Sequence, residues 1–274
     1  MTNITDTFPL VEFFGQQLRS SKKDGESSMH TSYLDRFGKN SGLLHAYAAD
    51  NSPRASEIKP LYDVMNLQET QTVLNVPFEG NLLTLLRQFV QNNIEITLAD
   101  FVVPDSLKAW NIVKTDYNLD GIPSAYFDVV LSIAGIHHLD NDEQLQFLIA
   151  TRRVLKTHGR LLMAEVKDDS RTSHFLDQFV GKYTGTGHTG NYLKGDFVSV
   201  AALAGYETIK RETIVCPWVF ANEDHLFNWT GKFFGISNIS KKILLSQVGE
   251  ILGLSKENEA LTVNWELDFI FAKS

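Results

Sequence analysis

The chain has 274 residues, 43% of them hydrophobic and 21% charged, which is enough to bury the core of one elaborated domain and excludes a disordered tail. A single cysteine, Cys216, excludes an intrachain disulfide or a thiolate-rich zinc site and fits a reducing cytoplasm. A net charge of −8 with no dense run of Lys or Arg argues against nucleic acid or an acidic membrane as a partner.

No apolar run is long enough to cross a bilayer, and the first residues do not read as a signal peptide. Phe8, Leu10, Val11, Phe13 and Phe14 form an apolar opening, residues 20–28 read as a polar loop, and residues 56–67 have the spacing of an amphipathic helix. From Thr72 the pattern becomes strand, loop, helix. Strand 72–76 is followed by the loop Pro77-Phe78-Glu79-Gly80 and a helix over 81–90. Strands are then expected at 94–99, 111–114, 127–133 and 160–165, with a helix over 142–154 before the last of these. The crossover between Asp100 and Asn111 is too short for a full helix, which opens that side of the sheet. Continuous apolar strands of this kind belong to a parallel sheet covered on both faces, so the expected class is α/β with a doubly wound sheet.

Past Glu165 the pattern loosens, and the glycines between 181 and 190 predict a mobile segment. A helix over 197–204 with Gly205 as its C-cap leads to a strand over 207–215. Residues 221–254 read as helical and rich in Phe and Trp, and 263–272 as a closing strand with alternating polarity.

In a doubly wound sheet the ligand crevice lies past the carboxyl ends of the strands. Asp100 and Asp116 occupy two successive strand ends, where a ribose diol and an exocyclic amine would find acceptors. The run YFDVVLSIAGIHHL over 126–139, followed by RVLKTHGRLL over 153–162, resembles the class I S-adenosylmethionine-dependent methyltransferases. That resemblance implies a Rossmann-like, doubly wound seven-stranded sheet with an antiparallel last strand and helical lid elements. It divides the chain into an N-terminal helical cap (1–70), a core (71–217), a helical insertion acting as lid (218–262) and the last core strand (263–274).

It also implies S-adenosylmethionine as cofactor, with S-adenosylhomocysteine as product. Asp100 would hold the ribose, Asp116 the adenine amine, Tyr117 would flank the ring, and Gly135 would lie near the methyl group. The family's glycine-rich loop is altered: its acid is Asn75, and its glycines are matched by Pro77 and then by Glu79 and Gly80 or by Glu79 and Asn81, depending on the alignment. A carboxylate at Glu79 about 4 Å from the cofactor's own carboxylate would cost about 4 kcal/mol, whereas one turned to its ammonium would help.

His137 and His138 are the candidate catalytic bases, or alternatively a structural pair that packs at the start of the following helix. His188, Tyr192 and Trp218 are candidates to shape a small-molecule acceptor pocket, although aromatic residues from Trp218 to Phe234 equally fit the core of a lid. No metal site is expected, because no H-x-x-x-H pair occurs and adjacent histidines are poorly spaced for joint ligation. The leading expectation is a small-molecule methyltransferase. The alternative is a catalytically altered relative whose pocket binds another ligand or a partner.

Overall fold

The computed structural model describes residues 52–65, 71–78, 94–103, 105 and 111–274. The N-terminal apolar opening, the polar loop 20–28, the helix expected over 81–90, Glu79 and Gly80 lie outside the described residues. After a 3-10 turn (Ser52–Glu57) and helix α1 (Ile58–Met65), the core strands are β1 (Thr72–Asn75), β2 (Glu95–Asp100), β3 (Val113–Lys114), β4 (Phe127–Ile133) and β5 (Leu155–Glu165), with α2 (Asn141–Val154) between the last two. A helical run over 171–183, here α3, is followed by α4 (Phe197–Leu203) and β6 (Thr208–Val215). The chain ends with β7 (Trp218–Phe220), α5 (Glu223–Phe234), α6 (Lys241–Ile251), β8 (Leu254–Glu257), β9 (Ala260–Val263) and β10 (Glu266–Lys273).

Seven strands form one sheet in the order β3-β2-β1-β4-β5-β10-β6. Strands β1 to β5 pair in parallel, and β10 inserts antiparallel to both β5 and β6. The expected doubly wound sheet with its antiparallel last strand is therefore present. Strand order reverses between β1 and β4, so the crevice to inspect opens at Asn75 and Ile133. β4 sits at the centre, with Phe127, Val129, Val130, Leu131 and Ile133 essentially inaccessible to solvent. Its Asp128 instead ties neighbouring strands together, accepting hydrogen bonds from Thr72 N (2.9 Å), Thr72 Oγ1 (2.9 Å) and Lys156 Nζ (2.8 Å).

Three stretches differ from the sequence expectation. Residues 171–183 are helical, with Ser170 and Ser173 forming a capping box and Phe175, Leu176, Phe179 and Val180 buried in the core. Two glycines of this stretch, Gly181 and Gly190, are packing positions, whereas a Cβ on Gly185 or Gly187 would meet nothing within 4 Å. A Cβ on Gly181 would stand 2.8 Å from the carbonyl oxygen of His188, and one on Gly190 2.3 Å from the Tyr192 ring. The stretch 218–262, expected to be helical, contains two helices and also a separate antiparallel sheet in the order β7-β9-β8. Alternation at Trp218, Phe220, Leu261 and Val263 buries one face of that sheet. The closing strand accordingly divides into β9 and β10 at Asn264 and Trp265. No helix among the described residues is long and apolar enough to cross a membrane.

Candidate active site

The loop after β4 is organised by a carboxylate that sequence reasoning missed. Glu165, the last residue of β5, is fully buried. Its Oε2 accepts from the amides of Ile136 (2.8 Å) and His137 (3.3 Å), and its Oε1 from Val166 N (2.7 Å) and His137 Nδ1 (2.7 Å). Because a carboxylate only accepts, Nδ1 of His137 carries the proton and its basic lone pair lies on Nε2. Asp140 then caps α2 through a capping box with Glu143, fixing where the loop ends.

A second strip of chain is laid across this loop. The amide of Asn191 donates to His137 O at 2.7 Å, and Gln144 Nε2 bridges Ile136 O (3.1 Å) and Asn191 O (2.7 Å). Leu193 N donates to Val166 O, and Arg211, paired with the buried Asp268 at 2.6 Å, donates to Leu193 O. These bonds carry His188 and Tyr192 to His137. The His137 and His138 rings lie 4.1 Å apart, His188 lies 5.5 Å and 5.4 Å from them, and Tyr192 stacks 5.7 Å from His137.

Asp177, on a π-helical turn of α3, supports the strip from below. It accepts from Tyr192 OH (2.5 Å), Gly190 N (3.2 Å) and His188 Nδ1 (3.2 Å). Burial alone would raise the Asp177 carboxyl, but the hydrogen bonds from His188 and Tyr192, with that from Gly190, hold it below the usual carboxylate range. π turns are rare and often sit at functional sites. Neither Glu165 nor Asp177 stands out in the sequence, since one is the last residue of an apolar strand and the other sits in a stretch without visible periodicity.

On the cofactor side the candidates keep their expected places but have partners of their own. Asp100 ends β2 fully buried, with Oδ2 accepting from Phe78 N (3.1 Å) and Oδ1 from Val102 N (3.0 Å). Asp116, half-buried just after β3, closes a turn by accepting from the amides of Asn118 (3.0 Å) and Asp120 (3.2 Å). Tyr117 is partly buried against the adjoining core, and buried Asn75 donates from Nδ2 to Leu131 O at 3.3 Å. Pro77 lies directly on Gly135: a Cβ there would fall 2.2 Å from the proline Cγ. The two sides of the switch point are thus in contact, and glycine at 135 is what permits it.

Trp218 is not brought to the histidines. Its indole stacks on Trp265 at 4.0 Å, packs against Trp229, Phe233 and Phe234, and donates to the buried Glu57 at 2.6 Å. Glu57 in turn pairs with buried Arg54 at 2.6 Å, which docks the 3-10 turn beside β7.

Comparison with known proteins agrees with this topology. Residues 65–163 match the model of a methyltransferase domain family. This stretch is similar to a methyltransferase domain. The match runs from the end of α1 through the first four strands and α2 into β5, and so includes the HHL loop and both strand-end acids. No curated protein matches the chain by sequence. Among solved structures, the chain is similar to a putative methyltransferase from Bacillus halodurans, with 17% identity and a TM-score of 0.52, covering 80% of this chain and 98% of that one. It is also similar to phosphoethanolamine N-methyltransferase 2 from Haemonchus contortus, solved with phosphomonomethylethanolamine and S-adenosylhomocysteine, with 15% identity, a TM-score of 0.55, and 91% and 60% coverage. A third is 1,6-didemethyltoxoflavin-N1-methyltransferase from Burkholderia thailandensis, solved with bound 1,6-didemethyltoxoflavin and S-adenosylhomocysteine, with 11% identity, a TM-score of 0.52, and 92% and 93% coverage.

Proposed function

We propose that the protein transfers a methyl group from S-adenosylmethionine to a small-molecule acceptor. The observation that carries this reading is the match of residues 65–163 to a methyltransferase domain family, together with the positions of Asp100, Asp116 and the HHL loop at successive strand ends. A carboxylate oxygen can accept more than one hydrogen bond, so the turns that Asp100 and Asp116 close are compatible with roles toward ribose hydroxyls and an adenine amine. Asn75, Pro77, Glu79 and Gly80 belong to the loop that would meet the methionine end, and Tyr117 and Gly135 to the walls around the adenine and the methyl group.

The cofactor supplies an electrophilic methyl on a sulfonium, and what remains for the chain is alignment and removal of an acceptor proton. Glu165 holds His137 in the tautomer whose Nε2 is basic, so an O–H or N–H acceptor beside it has a place to leave its proton. His138, His188 and Tyr192 complete that wall. Residues 1–70 and 218–262 are the elements we assign to enclosing the acceptor, with the net negative charge favouring a small substrate over nucleic acid and the single buried Cys216 suiting a cytoplasmic setting.

A second reading is a fold relative whose pocket takes a different ligand. Asp100, wholly buried with an oxygen bonded to the Phe78 amide, favours it. Thermal unfolding with S-adenosylmethionine or S-adenosylhomocysteine separates the two. Ligand at a hundred times its Kd stabilises by about 2.7 kcal/mol, which raises the midpoint by a few degrees. Asp100→Ala and Asp116→Ala should shrink the shift, each measured against its own ligand-free midpoint. No shift at millimolar ligand selects the second reading.

A further inference from the structure

We infer that His137, His138 and His188 form a binding site for a divalent transition metal of the zinc type. One ring nitrogen from each lies within 4.8 Å of one from each of the others, and all three imidazoles are buried. Four-coordinate zinc with Zn–N bonds of about 2.0–2.1 Å needs nitrogens about 3.3 Å apart, so small ring rotations close the triad on an ion. The sequence argument against joint ligation by adjacent histidines does not hold here. His137 and His138 lie in a tight turn whose rings face each other at 4.1 Å with a 40° tilt, and His188 completes the set from a strip fastened to the same loop.

Two further observations point to a cation. Glu165 bonds Nδ1 of His137 and Asp177 bonds Nδ1 of His188, the carboxylate–histidine arrangement that orients imidazoles toward a metal and makes them better ligands. In both rings the coordinating atom would be Nε2. Moreover, Glu165 is a fully buried carboxylate whose partners are amides and an imidazole, with no Lys or Arg in an ion pair with it among the described residues. A buried charge of this kind calls for compensation, and an ion one imidazole away supplies it.

Three protein nitrogens leave a fourth position for water or a lone-pair donor of a small molecule, such as an alcohol, amine or thiol. Given the methyltransferase reading, on which this extension alone rests, the donor is the methyl acceptor. The Nε2 of His137 is then engaged by the ion and no longer takes the proton; the ion would lower the pKa of an alcohol or thiol acceptor, whose proton passes to solvent and whose remaining lone pair attacks the methyl as the bond to the sulfonium sulfur breaks.

The test is titration of the untagged, chelator-treated full chain with Zn²⁺ by calorimetry and with Co²⁺ by visible absorption. The expected result is one ion per chain and a cobalt spectrum of tetrahedral type. His137→Gln and His188→Gln should abolish binding. Asp177→Asn, on a partly exposed side chain, should keep the fold and weaken binding about 10- to 100-fold. Absence of stoichiometric binding, or binding unchanged in His188→Gln and Asp177→Asn, overturns the site. If no metal binds while S-adenosylhomocysteine still raises the unfolding midpoint, the metal site falls and the methyltransferase reading stands.

Discussion

Glu165→Gln is the most direct probe of how the HHL loop is held. Each carboxylate oxygen serves two donors: Oε2 the amides of Ile136 and His137, and Oε1 the amide of Val166 and Nδ1 of His137. Glutamine preserves the shape but has one acceptor oxygen: with its NH2 toward Val166, His137 can change tautomer to accept from it and one amide donor is left unpaired, and with its NH2 the other way two amide donors are. A buried donor left without an acceptor costs about 1–3 kcal/mol, so the variant costs at least about 1–3 kcal/mol. With an unfolding entropy of roughly 2.1 cal/mol/K per residue, a chain of this length loses at least about 2–5 °C in midpoint. Far-UV circular dichroism melts measure this, with Glu250→Gln as the control because its carboxylate is exposed and accepts from Ser246 and Gln247 nearby on the same helix. If Glu165→Gln melts within about 1 °C of wild type, equivalent to roughly 0.6 kcal/mol, the four-donor account is refuted.

Gly135→Ala places a methyl 2.2 Å from Pro77 and should cost about 1–3 kcal/mol by overpacking; an unchanged melt would mean that the two loops do not touch. Glu57→Ala removes the bidentate partner of buried Arg54 and the acceptor of Trp218 Nε1, for an expected loss of about 3–5 kcal/mol in urea unfolding, whereas Arg54→Met with Glu57→Leu should recover much of it. Additive effects in that double variant would show that the pair is not coupled. The Asp128 carboxyl, which burial would raise, is held below its ordinary value by Lys156 and Thr72. A depressed native pKa gives stability that is present above the unfolded value of about 3.9 and is lost as pH falls through the native pKa. Wild type should therefore lose more stability than Asp128→Asn between pH 7 and pH 3, and parallel urea midpoints for the two would contradict the assignment.

Residues near one another in sequence announced most of the fold. The continuous apolar runs at 127–133 and 160–165 and the acids at 100 and 116 gave element, class and strand end, because burial on both faces is written locally. Even the family resemblance rests on short motifs whose residues turn out to hold the frame: Asp128 ties strands, and Arg153 clamps the carbonyls of Asn118, Leu119 and Ile122. Residues 171–183 show no readable helical period because a π turn interrupts it, and the small β7-β9-β8 sheet is hidden because its strands are short and β7 lies far along the chain from its partner β9.

What tertiary structure alone decided is the chemistry of the site. Glu165 reaches His137 across 28 positions, and Asp177 reaches His188 and Tyr192 across 11 and 15, through side-chain hydrogen bonds with no period to betray them. Composition and spacing placed two histidines side by side and set a third apart in a glycine-rich stretch. Only the folded chain, by passing residues 188–193 over the end of β5, makes the three imidazoles one cluster, because convergence at a point depends on packing between elements and not on distance along the sequence.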